Sequence, residues 1–326
     1  LTLAALRLID KYRGNDDPVM LVLPADAFIS DTSEFQKAII RARSFAEKNQ
    51  ICVFGVKPTR PHTGYGYVKI GKSLGRQHHG YQVETFVEKP NLEDASIYTN
   101  SDNWLWNSGM FMLRASVWIE SIGKYRADIL KACEVAYSKG TKDGYFFSPY
   151  KKDFIDCPSE SIDYAVMENL GLPGPLQEIT STNETPSNET TCVLILLETK
   201  WSDVGDWLEV WELNDRDDLG NVEIGDTYLE STKNSLLISH DRMVSVVGLE
   251  DVVVIETSDA VLVINKKETQ QVRTLVQKLG AENRREIVEH KNVVRKWGDY
   301  KVIESGPGFK VKKLTVNPHM SISLQL

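Results

Sequence analysis

Three short stretches set charged or polar side chains against apolar runs: Phe86-Val87-Glu88-Lys89-Pro90, Trp106-Asn107-Ser108-Gly109-Met110-Phe111 and Trp201-Ser202-Asp203-Val204-Gly205-Asp206-Trp207. This is how a strand end presents chemistry to a cleft. A fourth, Leu23-Pro24-Ala25-Asp26, puts Asp26 just past the carboxyl end of the apolar run Val19-Met20-Leu21-Val22-Leu23, where open α/β sheets bind ligands. Asp26 and Asp203 are of the type that holds Mg²⁺, which takes one or two carboxylates and completes its octahedron with waters and phosphates. Asn107 offers a donor and an acceptor that suit vicinal hydroxyls, and Gly109 lets a ligand approach the backbone. Each residue alone has a plainer use. Asp26 caps a turn, Asp203 starts one, Glu88 and Lys89 make a surface ion pair before strand-stopping Pro90, Gly66 marks a bulge, and Asp163 caps a helix. Trp106 and Phe111 read as core.

The elements that must carry these residues follow a βαβ rhythm. The run over 19–23 reads as a buried parallel strand. Ser33-x-x-Gln36 is a capping-box pattern, and apolar residues at 35, 38, 39, 42, 45 and 46 predict a helix from about Glu34 to Asn49. Ile51 to Val56 is the next strand, so a doubly wound sheet is expected. Thr63 to Val68 and Tyr81 to Val87 read as strands, and Ala115 to about Ser138 as helical. Gly171 to Thr190, dense in Gly, Pro, Ser, Thr and Asn, reads as a surface insertion, with sequons at Asn183 and Asn188 that read as accidental. Beyond Gly220 come short β pieces, Ser235 to Ser239, Met243 to Val247, Val252 to Thr257 and Ala260 to Ile264, and then a helix from about Glu268 to Leu279.

Together the motifs resemble the sugar-1-phosphate nucleotidyltransferases, and specifically the mannose-1-phosphate guanylyltransferases of the long bacterial type fused to a mannose-6-phosphate isomerase cupin. Ser161-Ile162-Asp163-Tyr164-Ala165-Val166-Met167-Glu168 is a further signature of that family. The resemblance implies an α/β fold, a Rossmann-like nucleotidyltransferase with a mixed, mainly parallel sheet and helices on both faces, over 1–213. A small β-rich, β-helix-like domain over 214–282 and the first strands of a cupin over 283–326 would follow. It implies GTP and mannose 1-phosphate as ligands, Mg²⁺ on Asp26 and Asp203, and Lys89 on the sugar phosphate. Glu88 would accept from sugar hydroxyls, and Gly66 would admit the sugar against backbone. Asn107, Gly109, Asp163 and Glu168 complete the implied sugar site. Nucleotidyl transfer gathers several anions, which a divalent cation and a lysine must offset.

Two local departures stand out: Ala27 where the family usually has His, and Asp206 where it usually has a small hydroxyl residue. Asp206 is open to three readings, tighter metal binding, repulsion of phosphate, or exposure to solvent. The family's Gly-rich loop would lie before Leu1 and its cupin histidines after Leu326, so the chain is expected to be a piece of a longer protein. His78-His79 reads as a solvated loop. The net charge of −8 argues against nucleic acid as partner. No run reaches the length of a membrane span, and four dispersed cysteines read as reduced packing residues at a cytosolic address. A homodimer is compatible with this reading. The alternatives are a transferase for another sugar or base and a non-catalytic sugar-phosphate-binding subunit.

Overall fold

The computed structural model describes residues 1–12, 16–74, 80–143, 146–170, 192–287 and 290–323. They form two compact units, Leu1–Asp203 and Val204–Leu326.

The first unit runs α1 (Thr2–Lys11), β1 (Val19–Val22), β2 (Phe28–Ile29), α2 (Thr32–Ala46), β3 (Ile51–Val56), β4 (Tyr67–Ser73), β5 (Gly80–Val87) and α3 (Leu92–Thr99). It continues with β6 (Trp104–Arg114), α4 (Ala115–Tyr125), α5 (Ala127–Ser138), β7 (Thr141–Asp143), β8 (Phe146–Ser148) and α6 (Lys151–Phe154). A π-helical turn (Asp163–Met167), α7 (Glu168–Leu170), β9 (Cys192–Leu196) and β10 (Trp201–Ser202) complete it.

Its main sheet has the order β1-β6-β3-β9-β5-β4. The sheet is mixed, as expected, but parallel only in part. β1, β3, β9 and β4 point one way, yet β5 and β6 run against them, so β3–β9 is the one parallel neighbour pair among the described strands of this sheet. In particular Val19–Val22 lies beside β6 in antiparallel register, where a parallel partner was expected. An apolar run reports burial; strand direction is set by connections far along the chain.

Helices cover both faces. On one, Ala5 of α1, Trp118 and Ile122 of α4, Ile129 and Cys133 of α5 and Val166 of the π turn pack on Val53, Phe111 and Leu194. On the other, Ala38, Ala42 and Phe45 of α2 and Ala95 of α3 pack on Phe54, Tyr67 and Ile195. Burying a side chain of Phe or Ile size stabilises by ~1.5–3 kcal/mol, and β3, buried at every position, anchors both layers. Trp106 and Phe111 lie in this core, as their sequence setting predicts.

Three boundaries differ from expectation for local reasons. α2 begins earlier because Asp31, not Ser33, is its cap: Asp31 Oδ1 accepts from the amides of Ser33 at 2.8 Å and Glu34 at 3.1 Å. The helical stretch over 115–138 is two helices, broken at Arg126, whose guanidinium is held by Asp128 at 2.9 and 2.8 Å and also pairs with Glu160. Thr63-Gly64-Tyr65 is a turn, not strand, with the Gly64 amide donating to His62 Nδ1 at 3.2 Å. The stretches over 75–79, with His78-His79, and over 171–191, with both sequons, lie outside the described residues.

The second unit starts with α8 (Trp207–Leu213) and continues through β11 (Val222–Ile224), β12 (Thr227–Glu230), β13 (Leu236–Ser239), β14 (Val244–Val247), β15 (Val252–Glu256) and β16 (Val261–Asn265). Its coils stack in parallel register, Val222 beside Leu236 beside Val253, and Thr227 beside Val244, which is the β-helix-like geometry expected. A 3-10 turn and α9 (Val272–Ala281) precede an antiparallel meander of β17 (Asn292–Arg295), β18 (Gly298–Gly306) and β19 (Phe309–Val316). All four cysteines are free thiols, Cys52 and Cys133 buried; burial pushes the Cys133 thiol up to about 11. No helix among the described residues is long and apolar enough to cross a membrane.

The cap assignment is testable by denaturant unfolding followed by circular dichroism. Asp31→Ala should lower stability by about 1 kcal/mol, while Ser33→Ala should shift it by less than about 0.5 kcal/mol.

Candidate functional site

The shortest ladder among the described strands of the first unit joins the stretch that follows Asp26 to the stretch that precedes Asp203. β2 pairs antiparallel with β10, Ile29 opposite Trp201 and Phe28 opposite Ser202. The amide of Ser30 extends it by donating to the Lys200 carbonyl at 3.1 Å. One further step places Asp203 opposite Ala27, so both aspartates sit at the same end of this ribbon. Asp26 is exposed and Asp203 half-buried. Asp203 also has a fixed partner that sequence reading missed: the Tyr65 hydroxyl donates to Asp203 Oδ1 at 2.9 Å.

The donor set fits a hard divalent cation. It consists of carboxylate oxygens, and no group of three or more His, Cys, Asp or Glu among the described residues could hold a metal. Two carboxylates leave most of an octahedron to water and ligand oxygens, the habit of Mg²⁺ at phosphate sites.

A second constellation gathers the remaining candidates, each within direct reach of a charged or amide partner. Glu88, at the end of β5, has a side chain 7% exposed, and Lys89 Nζ lies 3.1 Å from its Oε1. The Glu88 amide donates to Glu168 Oε1 at 3.2 Å, and Asn107 Nδ2 donates to Asp163 Oδ1 at 2.9 Å. The Asn107 amide donates to the Gly66 carbonyl at 2.8 Å, and Asn107 Oδ1 accepts from the Gly109 amide at 3.1 Å. Gly109 needs its φ of +68°, for which glycine carries no steric penalty. Across this point the β3–β6 register shifts, from Val53 opposite Phe111 to Gly55 opposite Asn107. Such a bulge re-aims a side chain, here Asn107.

Asp163 and Glu168 reach the same cluster because they flank one π turn, closed by the Glu168 amide on the Asp163 carbonyl. Five residues apart on an α-helix they would point about 140° apart at 3.6 residues per turn; an i→i+5 turn aligns them. Nothing in the local sequence signals that turn.

Gly66 has a different immediate reason from the bulge. A Cβ there would lie 2.4 Å from Glu88 Oε2 and 3.3 Å from Asn107 Cβ, so the glycine makes room for the carboxylate. Lys89 and Val204 have φ of +48° and +51°, and for a β-branched residue this is an outlier. Each follows a carboxylate of the site directly, and such strain costs about 1–3 kcal/mol per residue.

The electrostatics of the cluster follow from crowding. Burial, and then the neighbouring Asp163, raise the Glu88 carboxyl above its usual range, against the opposing effect of Lys89. Burial likewise raises Asp163, against its hydrogen bond from Asn107. The hydrogen bond to Glu88 is the main cause that holds the Lys89 ammonium above its usual value.

Asp206 has a use within its own unit. It caps α8, accepting from the Glu209 amide at 3.0 Å, while Glu209 Oε2 accepts from the Gly205 amide at 3.1 Å. This is a reciprocal capping arrangement, the job a small hydroxyl residue also does, and the spacing Asp206-x-x-Glu209 signals it. Ala27 packs against the core of the α2 face.

A mixed sheet with helices on both faces, a two-stranded ribbon with an aspartate just beyond each strand at one end, and a Glu-Lys pair at another strand end fit a nucleotidyl transferase. The family model of that description matches residues 2–218, and the chain belongs to the nucleotidyl transferase family. A mannose-phosphate isomerase/GMP-like β-helix domain model matches 229–279, and a mannose-6-phosphate isomerase C-terminal model matches 282–326. The chain is 39% identical over its whole length to a putative mannose-1-phosphate guanylyltransferase of Vibrio cholerae, covering 65% of that protein. It is 38% identical, again over its whole length, to a mannose-1-phosphate guanylyltransferase of Escherichia coli, covering 64%. It thus spans slightly less than two thirds of these relatives. A crystal structure from Thermus thermophilus, named a mannose-1-phosphate geranyltransferase, superposes with a TM-score of 0.68 at 25% identity, covering 85% of this chain and 73% of that one.

Two substitutions test the second constellation. Because the folded-state carboxyl of Glu88 is raised, the folded chain binds more protons than the unfolded chain between the two pKa values. That contribution therefore falls as pH rises through this window. Glu88→Gln should raise the melting temperature near pH 7 by a few degrees and give no gain near pH 4. Gly66→Ala should cost about 1–3 kcal/mol by overpacking. In a Glu88→Ala background most of that cost should vanish, a coupling read from a double-mutant cycle in denaturant.

Proposed function

We propose that the chain carries the transferase site for mannose 1-phosphate and GTP, yielding GDP-mannose and pyrophosphate. A phosphate oxygen of mannose 1-phosphate attacks the α-phosphorus of GTP in line. One P–O bond forms, the α–β anhydride bond breaks, and the electron pair leaves with pyrophosphate. Such a reaction is carried by positioning and by charge placed where charge develops. Asp26 and Asp203 would hold the divalent cation, for which we favour Mg²⁺; when bound, it would offset phosphate charge. Lys89, its ammonium exposed but tethered to Glu88, meets the sugar phosphate. Glu88, Asn107 and Glu168 present acceptors and an amide to the sugar hydroxyls, with Asp163 holding Asn107. Gly66 and Gly109 keep the approach open beside them.

The observation that carries this reading is the β2–β10 ladder. It pairs Phe28 and Ile29 with Ser202 and Trp201, so that Asp26 and Asp203 both lie just beyond the same end of one ribbon, which supports a shared metal site. The names of the relatives support mannose and guanine, and the four free cysteines fit a cytosolic address.

Pyrophosphate release by this chain, with mannose 1-phosphate and Mg²⁺, should occur with GTP and fall sharply with ATP, UTP or dTTP. Release led by another nucleotide would overturn the guanine assignment. Asp203→Asn should lower turnover by at least about 10²-fold without lowering the melting temperature; near-normal turnover would remove Asp203 from the metal site.

A further inference from the structure

Asp203 hangs at the end of a two-residue strand and is followed by a strained residue, Val204. A carboxylate so placed would swing about its side-chain torsions unless something held it, and a hard cation that demands near-ideal octahedral geometry tolerates little swing. The structure supplies a holder. Tyr65 donates its hydroxyl to Asp203 Oδ1 at 2.9 Å, and its ring is walled on three sides. His62 stacks on it with centroids 3.8 Å apart and planes 22° apart, and it makes edge contacts with Trp106 at 5.1 Å and Trp201 at 5.2 Å.

Tyr65 is only 6% exposed. His62 is itself fixed, its Nδ1 accepting from the Gly64 amide at 3.2 Å and its own amide donating to the Tyr67 hydroxyl at 3.0 Å. The indole N–H groups of Trp106 and Trp201 are buried with no hydrogen-bond partner among the described residues, a penalty of about 1–3 kcal/mol each. The packing around Tyr65 is therefore not what stability alone would select.

We propose that Tyr65 is a positioning residue for Asp203. Its hydroxyl on Oδ1 limits how the carboxylate can turn, with His62, Trp106 and Trp201 as the wall that keeps the phenol in place. This rests on the assignment of Asp203 to the metal site. It also explains why Tyr65 directly precedes Gly66: one turn at the head of β4 supports both constellations, Tyr65 on the metal side and Gly66 beneath Glu88. Outer partners of metal-binding carboxylates affect affinity through geometry and charge, typically by about 10–100-fold.

The test uses Mn²⁺ alone, with free Mn²⁺ read from its electron paramagnetic resonance signal, on the chain and on Tyr65→Phe, Asp203→Asn and the double variant. Tyr65→Phe keeps the ring and removes one oxygen. It should weaken Mn²⁺ binding about ten-fold with little change in melting temperature. In turnover it should raise the metal concentration for half-maximal rate far more than it lowers kcat at saturating metal. In the Asp203→Asn background it should have no further effect. Wild-type Mn²⁺ affinity in Tyr65→Phe, or the same loss in both backgrounds, overturns the proposal while leaving the metal site standing. Unchanged Mn²⁺ binding in Asp203→Asn removes the metal site and the proposal with it. Should Tyr65→Phe fail to fold, His62→Ala decides: it keeps the hydroxyl but opens the wall, and undiminished Mn²⁺ affinity in the folded variant overturns the proposal.

Discussion

Carboxylates gathered in one place repel one another, and burial raises the cost of each charge. Every carboxylate here except the exposed Asp26 answers to that constraint through a specific partner. Glu88 has Lys89, Asp163 has Asn107, Glu168 has the Glu88 amide, and Asp203 has Tyr65. Much of the irregular backbone around these residues serves these pairings. The bulge in β6 aims Asn107, the π turn aligns Asp163 with Glu168, and the left-handed residues Lys89 and Val204 turn the chain away directly after a carboxylate.

The regular structure bears the cost of that irregularity. β3 is buried at all six positions and is flanked by the helix layers packed on both faces. Strained residues at about 1–3 kcal/mol each persist where the surroundings over-determine them. The neighbours of Lys89 and Val204 do so: the last residue of β5, Val87, is paired with Tyr67, and Asp203 is held by the ladder before it and by Tyr65. The second unit shows the ordinary counterpart. Its parallel coils repeat one register from Val222 to Leu236 to Val253, and its entry helix is closed by the reciprocal cap of Asp206 and Glu209.

Local signals carried much of the fold. Apolar runs marked β1 and β3, helical spacing marked α2, and short β-rich pieces between turns marked the strands from Ser235 to Ile264. These patterns involve residues a few positions apart, so periodicity and burial express them directly. Where two local signals competed the outcome needed coordinates. Asp31 and Ser33 both suit a cap, and the carboxylate two residues earlier captured the amides. The helical stretch across Arg126 had no Pro to announce its break, which the Asp128 and Glu160 carboxylates on that arginine accompany.

By itself the sequence determined the class of the chain, an α/β transferase-like unit followed by short β coils. It also determined the chemical types at the strand ends: two aspartates, a Glu-Lys pair, and an asparagine beside a glycine. Only the tertiary structure decided how they meet. The antiparallel course of β1 and β6, the β2–β10 ladder between the stretches next to Asp26 and Asp203, and the space at Gly66 reserved for Glu88 have no local signature. Neither does the Tyr65 hydroxyl on an aspartate 138 residues away. Periodicity encodes which face of an element avoids water, whereas desolvation, register and contacts between distant residues exist only once the layers have packed.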